Sequence, residues 1–131
     1  MKYMLDTNIC IFIIKRLPEV ISVFSSKKDD GTVISAITLA ELEYGVCNSS
    51  AYAKNKEALL TFLPLVDILP FDELAAAVYG EVCSSLKQKG TPIGQMDMLI
   101  AAHAKSKGLI VVTNNVHEFE RVDGIVVENW K

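Results

Sequence analysis

Short and mainly apolar runs recur along the chain between longer stretches of helical periodicity, and this alternation constrains the fold more than any other feature. The runs lie at Lys2–Leu5, Thr32–Ser35, Val66–Leu69, Leu109–Val112 and Ile125–Val127. Strands that are apolar on both faces are typical of parallel sheets, because helices cover both sides of such a sheet. We therefore predict an α/β fold: a three-layer α/β/α domain with a central, mostly parallel sheet.

The segments between these runs carry apolar residues three and four positions apart and are predicted to be helices. They are Ile9–Arg16, Pro18–Ser26, Thr38 to about Asn48, Ser50–Leu63, Asp72–Lys89 and Gln95–Lys107. Thr7 or Asn8 can cap the first helix, and Gly90 and Gly108 follow the last two where helices commonly end. The residues predicted to face the core in the fifth helix are Leu74, Ala77, Val78, Val82 and Leu86.

The length and composition are those of one folded domain spanning residues 1–131. The chain has 131 residues, of which 50% are hydrophobic and 22% charged, a balance typical of globular domains. The net charge of −3 gives no general attraction to nucleic acid, which usually depends on clustered lysine and arginine. Any RNA binding is therefore expected to be local and assisted by a metal ion.

The cysteines and the longest early apolar run indicate a cytoplasmic protein. Cys10, Cys47 and Cys83 lack the paired spacing of zinc sites, and their odd number favours buried, reduced thiols. The run Ile9–Ile14 is far shorter than the roughly 20 residues that cross a bilayer, and no signal-peptide pattern precedes it. No membrane association or export is predicted.

Three acidic residues lie where a parallel fold gathers functional groups. Asp6 directly follows the first strand, Glu41 lies in the first turns of the helix after Thr32–Ser35, and Asp97 lies in the first turn of the last long helix. Each has an ordinary alternative role: a helix cap, a solvated glutamate, or an acid favoured by the helix dipole. Glu43 projects from a different face than Glu41. Because the carboxyl ends of parallel strands meet at one edge, we expect the three acids to converge.

Three converging carboxylates repel one another unless a cation lies between them. Oxygen-only ligands suit a hard divalent ion, Mg²⁺ with Mn²⁺ as an alternative, which retains waters and bridges to a substrate phosphate. The sequence thus predicts a metal centre at Asp6, Glu41 and Asp97.

The order and spacing of five motifs resemble those of PIN-domain ribonucleases, specifically the VapC toxins of bacterial toxin–antitoxin pairs. The motifs are Tyr3-Met-Leu-Asp-Thr-Asn-Ile9, Thr38 with Ala40-Glu-Leu42, Pro92-Ile-Gly with Asp97 and Ile100-Ala-Ala102, Val112-Thr-Asn-Asn115 with Glu118-Phe119, and Glu128-Asn-Trp130. The resemblance spans nearly the whole chain. It implies that Asp6, Glu41 and Asp97 are catalytic metal ligands.

The same resemblance brings in Asn8 and Thr113 as supporting polar residues. It also exposes a departure, since the family's fourth acid usually follows that threonine, where this chain has Asn114 and Asn115. Asn115 is a supporting candidate that could bind a metal weakly or orient a water, and Glu118, three residues further on, is the candidate to supply the missing charge to a second metal through water. The number of metal ions therefore stays open.

The resemblance further implies hydrolysis of RNA phosphodiesters by metal-bound water, with tRNA as substrate class, cut in the anticodon loop, and initiator tRNA as the specific target. It implies a VapB antitoxin as partner and a homodimer. Two alternatives remain: a catalytically weak PIN-fold binding module, and an aspartyl-phosphate phosphotransfer domain. The second would need another acid two residues after Asp6, where Asn8 stands.

Basic residues and histidines complete the set of candidates. Those that could grip RNA phosphates are Lys15, Arg16, Lys87, Lys89 and Arg121. For at least half of them, ordinary solubilising surface is the favoured interpretation. His103 lies on an apolar helix and is predicted to pack in the core rather than act as a base, and His117 is predicted to be a surface or RNA-contacting residue.

Overall fold

A computed structural model of the protein describes residues 2–131 and contains one sheet of five parallel strands. In chain order these are β1 (Tyr3–Leu5), β2 (Thr32–Ser35), β3 (Asp67–Leu69), β4 (Ile110–Val112) and β5 (Val127–Glu128). Their spatial order is β3-β2-β1-β4-β5, and every neighbouring pair is parallel. The predicted sheet is confirmed, and it is parallel throughout.

Helices connect the strands and cover both faces of the sheet. They are α1 (Thr7–Ile14), α2 (Pro18–Ser26), α3 (Ala36–Cys47), α4 (Tyr52–Phe62), α5 (Glu73–Lys89), α6 (Gln95–Lys107) and α7 (Val116–Phe119). Short 3₁₀ turns occupy Lys28–Asp30 and Leu63–Leu65. Within the part of the chain described, no helix combines the length and apolar character needed to cross a membrane.

The side chains of β1 show how the sheet separates two hydrophobic layers. Tyr3 and Leu5 pack into the layer formed with α1 to α4, whereas Met4 packs into the layer formed with α5 to α7. This alternation follows from the two-residue period of a strand, in which successive side chains point to opposite faces. The three-layer α/β/α architecture predicted from the apolar runs is therefore confirmed.

Two of the residues predicted to face the core on α5 are exposed. On α5 the buried residues are Ala75, Val82 and Leu86, while Leu74 is 53% exposed and Ala77 is exposed as well. The buried stripe is narrower than predicted, and Leu74 lies one residue, or about 100°, around the helix from Ala75.

The prediction that all three cysteines are buried is wrong, because only Cys10 is fully buried. Cys83 is half-buried and Cys47, the last residue of α3, is exposed. All three are free thiols.

The last strand begins two residues later than predicted. Gly124, with a φ of 82°, forms the turn before it. Val127 and Glu128 then pair with Val111 and Val112. The residues at which β5 begins and ends are set by its pairing with β4, and the sequence of Ile125–Val127 by itself does not determine them.

Candidate metal centre

Asp6 lies at the carboxyl end of the central strand β1, where it caps α1. Its Oδ1 accepts a hydrogen bond from the Thr7 amide at 2.8 Å, and its Oδ2 accepts one from the Thr113 hydroxyl at 2.7 Å. The residue is only 3% exposed. The predicted caps Thr7 and Asn8 are wrong, because the chain already turns into the helix at Asp6, and Asn8 lies exposed in the first turn.

Burial raises the pKa of Asp6 above its ordinary value, although the hydrogen bonds from Thr113 and Thr7 oppose this change. A buried carboxylate whose charge is held by two donors is suited to bind a cation.

Glu41 lies in the second turn of α3, and a threonine holds it near Asp6. The Thr7 hydroxyl donates to Glu41 Oε1 at 2.6 Å, and Thr7 is the residue after Asp6. Glu43 points away from this site, as predicted, and its Oε1 forms an ion pair with Lys56 Nζ at 2.7 Å. Thr7 is a site residue that the sequence reasoning missed, since its position after a strand suggested only a helix cap.

Asp97 lies in the first turn of α6, beside the loop that follows β4. The Asn115 side-chain amide donates to Asp97 Oδ2 at 3.3 Å and also to Glu118 Oε2. The Asn115 backbone amide in turn donates to the Thr113 hydroxyl oxygen at 2.9 Å. Hydrogen bonds therefore connect all of the predicted acids, from Glu41 through Asp6 to Asp97 and Glu118.

The acids of this network interact strongly. Burial raises the pKa of Asp97 to about 7, with further contributions from a hydrogen bond to Glu118 and from the negative charges of Asp6, Glu118 and Glu41. The pKa of Glu118 is lowered, chiefly by the same bond to Asp97. Of these two carboxyl groups, Asp97 is therefore the one that takes up a proton first as the pH falls.

The residues present fit a divalent cation in their chemistry. Every donor is an oxygen, as hard cations prefer, and the negative charges of Asp6, Glu118 and Glu41, which help to raise the pKa of Asp97, are charges that a bound cation would offset. Within residues 2–131, no three His, Cys, Asp or Glu side chains lie close enough to hold one ion as they stand. Binding therefore requires side-chain rotations that bring the carboxylate oxygens closer together.

Two of the five basic candidates lie beside this centre. The Arg121 guanidinium donates to the Pro92 carbonyl at 3.0 Å, and its charge helps to lower the pKa of Glu118. Lys15 and Glu41 line the same groove of about 300 Å³ between α1, α3 and α4.

The other three basic candidates lie elsewhere on the surface. Arg16 lines a larger groove of about 1020 Å³ formed by α1, α2 and α4. Lys89 forms an exposed ion pair of 2.5 Å with Asp123, and Lys87 is exposed in the last turn of α5.

The two histidines are placed as predicted. His103 is fully buried in α6, where its Nδ1 lies 2.8 Å from the Ser35 hydroxyl oxygen. His117 is exposed on α7. His103 therefore lies in the core and not at the surface of the metal centre.

Comparison with known proteins identifies the class to which this fold and acid cluster belong. The PIN domain family matches residues 3–125. The tRNA(fMet)-specific endonuclease VapC of Salmonella typhimurium is 45% identical over 130 residues, which cover 99% of this chain and 98% of that protein. The tRNA(fMet)-specific endonuclease VapC of Shigella flexneri is 42% identical over the same shares. The chain belongs to the PIN-domain family and, within it, to the VapC ribonucleases.

Solved structures agree with this classification. VapBC2 from Rickettsia felis, bound to a DNA fragment from its promoter, contains a chain with a TM-score of 0.96 and 39% identity, and both chains are fully covered. DNA-bound VapBC from Salmonella typhimurium contains one with a TM-score of 0.95 and 43% identity, covering 100% of this chain and 99% of the other. PIN-domain nucleases generally depend on divalent metal ions.

Proposed function

We propose that this chain is a single PIN domain, residues 1–131, that acts as a Mg²⁺-dependent endoribonuclease toxin. One observation carries the proposal. Asp6, Glu41 and Asp97 come from three separate segments of the chain, the end of β1 and the first turns of α3 and α6, yet hydrogen bonds through Thr7, Thr113 and Asn115 join them into one network. Carboxylates that lie this close together repel one another. A cation that they bind during function best explains why the fold gathers them here.

The chain's own residues divide the work at this centre. Asp6, Glu41 and Asp97 would hold the ion, and Thr7 and Thr113 orient the first two carboxylates by donating hydrogen bonds to them. A bound Mg²⁺ supplies a water of lowered pKa and stabilises the charge that develops on the phosphate. The Asn115 side-chain amide donates to both Glu118 and Asp97 and so keeps Glu118 at the edge of the site.

The proposed substrate is tRNA, and specifically initiator tRNA cut in the anticodon loop. Support comes from the two relatives named tRNA(fMet)-specific endonucleases, which are 45% and 42% identical to this chain. Single-stranded loops expose unstacked bases and a bendable backbone, so a nuclease can reach their phosphates. Since the net charge is −3, Lys15 and Arg121 beside the centre are the residues best placed to attract those phosphates.

The proposed partner is a VapB-type antitoxin, and the proposed assembly includes a homodimer of this chain in the cytoplasm. Support comes from the structural neighbours described as VapBC, which contain chains of TM-score 0.96 and 0.95 to this one. A nuclease that cuts an essential tRNA would harm its own host unless it is inhibited. A tightly bound neutralising partner is therefore physically reasonable.

Cleavage of bulk tRNA tests the proposal. Purified protein is incubated with tRNA in Mg²⁺, in Mn²⁺ and in chelator, beside Asp6→Ala and Asp97→Asn. Glu43→Gln is the matched control, because Glu43 lies on the same helix as Glu41 but pairs with Lys56. We expect cleavage only with metal, loss of at least 100-fold in the two site variants, and normal cleavage by the control. Normal cleavage by Asp97→Asn would disprove its role as a ligand.

The alternatives give different outcomes in this assay. A binding module would retain tRNA without cutting it in either metal. An aspartyl-phosphate domain would trap labelled phosphate on Asp6, but both oxygens of Asp6 already accept hydrogen bonds and the residue is buried. That geometry disfavours Asp6 as a nucleophile.

A further inference from the structure

A single buried hydrogen bond joins the helix that carries Asp97 to the start of the helix that carries Glu41. His103 Nδ1 on α6 lies 2.8 Å from the Oγ of Ser35, the residue that caps α3. Both residues are 0% exposed. Within residues 2–131 no other side-chain hydrogen bond connects α6 with the segment from Ser35 to the end of α3.

The direction of this bond follows from the groups around it. The Ser35 oxygen already accepts the Ile37 amide at 3.0 Å, so its own hydrogen is free to donate to His103 Nδ1. Were Nδ1 protonated instead, the buried serine hydroxyl would have no acceptor, which is costly. We therefore assign His103 as the neutral tautomer in which Nδ1 accepts from Ser35 and Nε2 carries the proton; this agrees with the lowering of its pKa by burial, although Nε2 itself is buried without a hydrogen-bond partner among the described residues.

The bond joins the two helices that carry Glu41 and Asp97, so its geometry affects the distance between these two acids. Ser35 is six residues before Glu41 on α3, and His103 is six residues after Asp97 on α6. At 1.5 Å per residue, each acid lies about 9 Å along its helix from the bond. Because water does not compete for a fully buried bond and hydrogen-bond geometry is directional, the bond fixes the spacing of the two helices more tightly than apolar contacts alone.

We propose that His103 and Ser35 are positioning residues, whose hydrogen bond holds α6 and α3 at the spacing at which Asp97 and Glu41 bind one metal ion. This inference rests on the proposed function of these acids as ligands. His103 touches neither the ion nor the RNA. Groups that orient metal ligands from outside the coordination sphere typically contribute 10- to 100-fold to metal affinity.

Two substitutions of His103 separate positioning from packing. In His103→Asn the amide oxygen takes the place of Nδ1 and can accept from Ser35, but the variant loses the ring that packs edge-on against Phe71 at 5.3 Å between centroids. His103→Gln fills more of the space but reaches toward the position of Nε2. Ser35→Ala removes the donor, and Val82→Ala on α5 serves as a control that weakens a buried contact without touching the bond.

Mn²⁺ binding is measured by calorimetry and thermal unfolding by circular dichroism, with tRNA cleavage as a third readout. We expect His103→Gln and Ser35→Ala to weaken Mn²⁺ binding about ten-fold, and the double variant to weaken it no further. His103→Asn should bind Mn²⁺ within about two-fold of the original protein, despite a lower melting temperature. Val82→Ala should lower stability and leave affinity unchanged.

Three results would overturn the positioning role. They are unchanged Mn²⁺ affinity in His103→Gln, loss of affinity in His103→Asn as large as in His103→Gln, or affinity that simply follows stability across all the variants. Failure of the proposed function is distinguishable, because the unsubstituted protein would then bind no Mn²⁺, or Asp97→Asn would bind it normally.

Discussion

At the scale of single residues, uncharged donors set the geometry of the acids. Thr7 and Thr113 each donate a hydrogen bond to a carboxylate, at 2.6 and 2.7 Å. Such bonds to an ionised acceptor are stronger than those between neutral groups, and they hold the negative form in place until a cation arrives. The acids could be predicted from the sequence, because they follow a strand or lie near the start of a helix. The role of Thr7 could not be predicted in this way, because its hydrogen-bond acceptor, Glu41, lies 34 residues further along the chain.

The protonation of Asp97 gives a prediction at this scale. Its pKa is about 7 in the folded, metal-free protein, against an ordinary value of 3.8. The folded state therefore binds more protons than the unfolded state between these values, and stability from this group falls as pH rises toward about 7. The lowered pKa of Glu118 affects stability only below about pH 4.5, the ordinary pKa of a glutamate.

Urea unfolding in chelator at several values between about pH 5 and about pH 8 measures this effect. His103 contributes the opposite slope below its ordinary pKa of 6.5, since burial lowers its pKa. The relevant quantity is therefore the difference between the original protein and Asp97→Asn. We expect the original protein to lose stability relative to the variant as pH rises. A difference that is flat across this interval would contradict the raised pKa.

At the scale of elements, helix ends were predictable where the turn needs a glycine. Gly90 and Gly108 follow α5 and α6 with φ of 70° and 66°, as expected from their positions in the sequence. The end of α1 was predicted at Arg16, but the helix ends at Ile14. Arg16 takes the left-handed conformation, with a φ of 60°, in a place where a glycine would have signalled the end.

The conformation of Arg16 predicts that Arg16→Gly stabilises the protein. The amide of Leu17 donates to the Phe12 carbonyl at 3.0 Å, which closes the helix around Arg16. An L-residue there is strained by about 1 kcal/mol, and the greater freedom of glycine in the unfolded chain offsets part of this. We expect a net gain of about 0.5 kcal/mol by urea unfolding.

Lys15→Gly is the matched control for Arg16→Gly. Lys15 has an ordinary helical φ of −79°, so glycine there should cost about 0.5–1 kcal/mol. A loss of stability in Arg16→Gly would show that contacts of the arginine side chain outweigh its backbone strain. A parallel cleavage assay tests whether Arg16 also contacts RNA.

At the scale of the whole molecule, the metal centre lies where the two hydrophobic layers meet. Asp6 begins α1, whose residues Ile9 and Ile13 pack in one layer. Asp97 and Glu118 lie on α6 and α7, whose residues Ile100 and Phe119 pack in the other. Alternating apolar runs were enough to predict the layers, because the strand period is local. Which oxygens face one another depends on helix placement, so the network through Asn115 was not predictable from the sequence.

Because its ligands come from both layers, a bound ion should stabilise the whole fold rather than one segment. An ion that binds only the folded state at 100 times its dissociation constant adds about 2.7 kcal/mol. For a chain of this size that corresponds to a rise in melting temperature of about 10 °C. We expect Mg²⁺ or Mn²⁺ to produce such a rise in the original protein and almost none in Asp97→Asn.

The two layers should also respond together to the ion. Trp130 packs with the layer of α1 to α4, so its fluorescence reports that layer, whereas far-ultraviolet circular dichroism reports all of the helices. If the ion connects the layers, both probes shift to the same higher melting temperature when metal is added. A shift in the circular dichroism transition without one in Trp130 fluorescence would show that the two layers unfold separately and that the ion stabilises only the layer of α5 to α7. In that case Asp97 and Glu118 would bind it without Asp6 and Glu41.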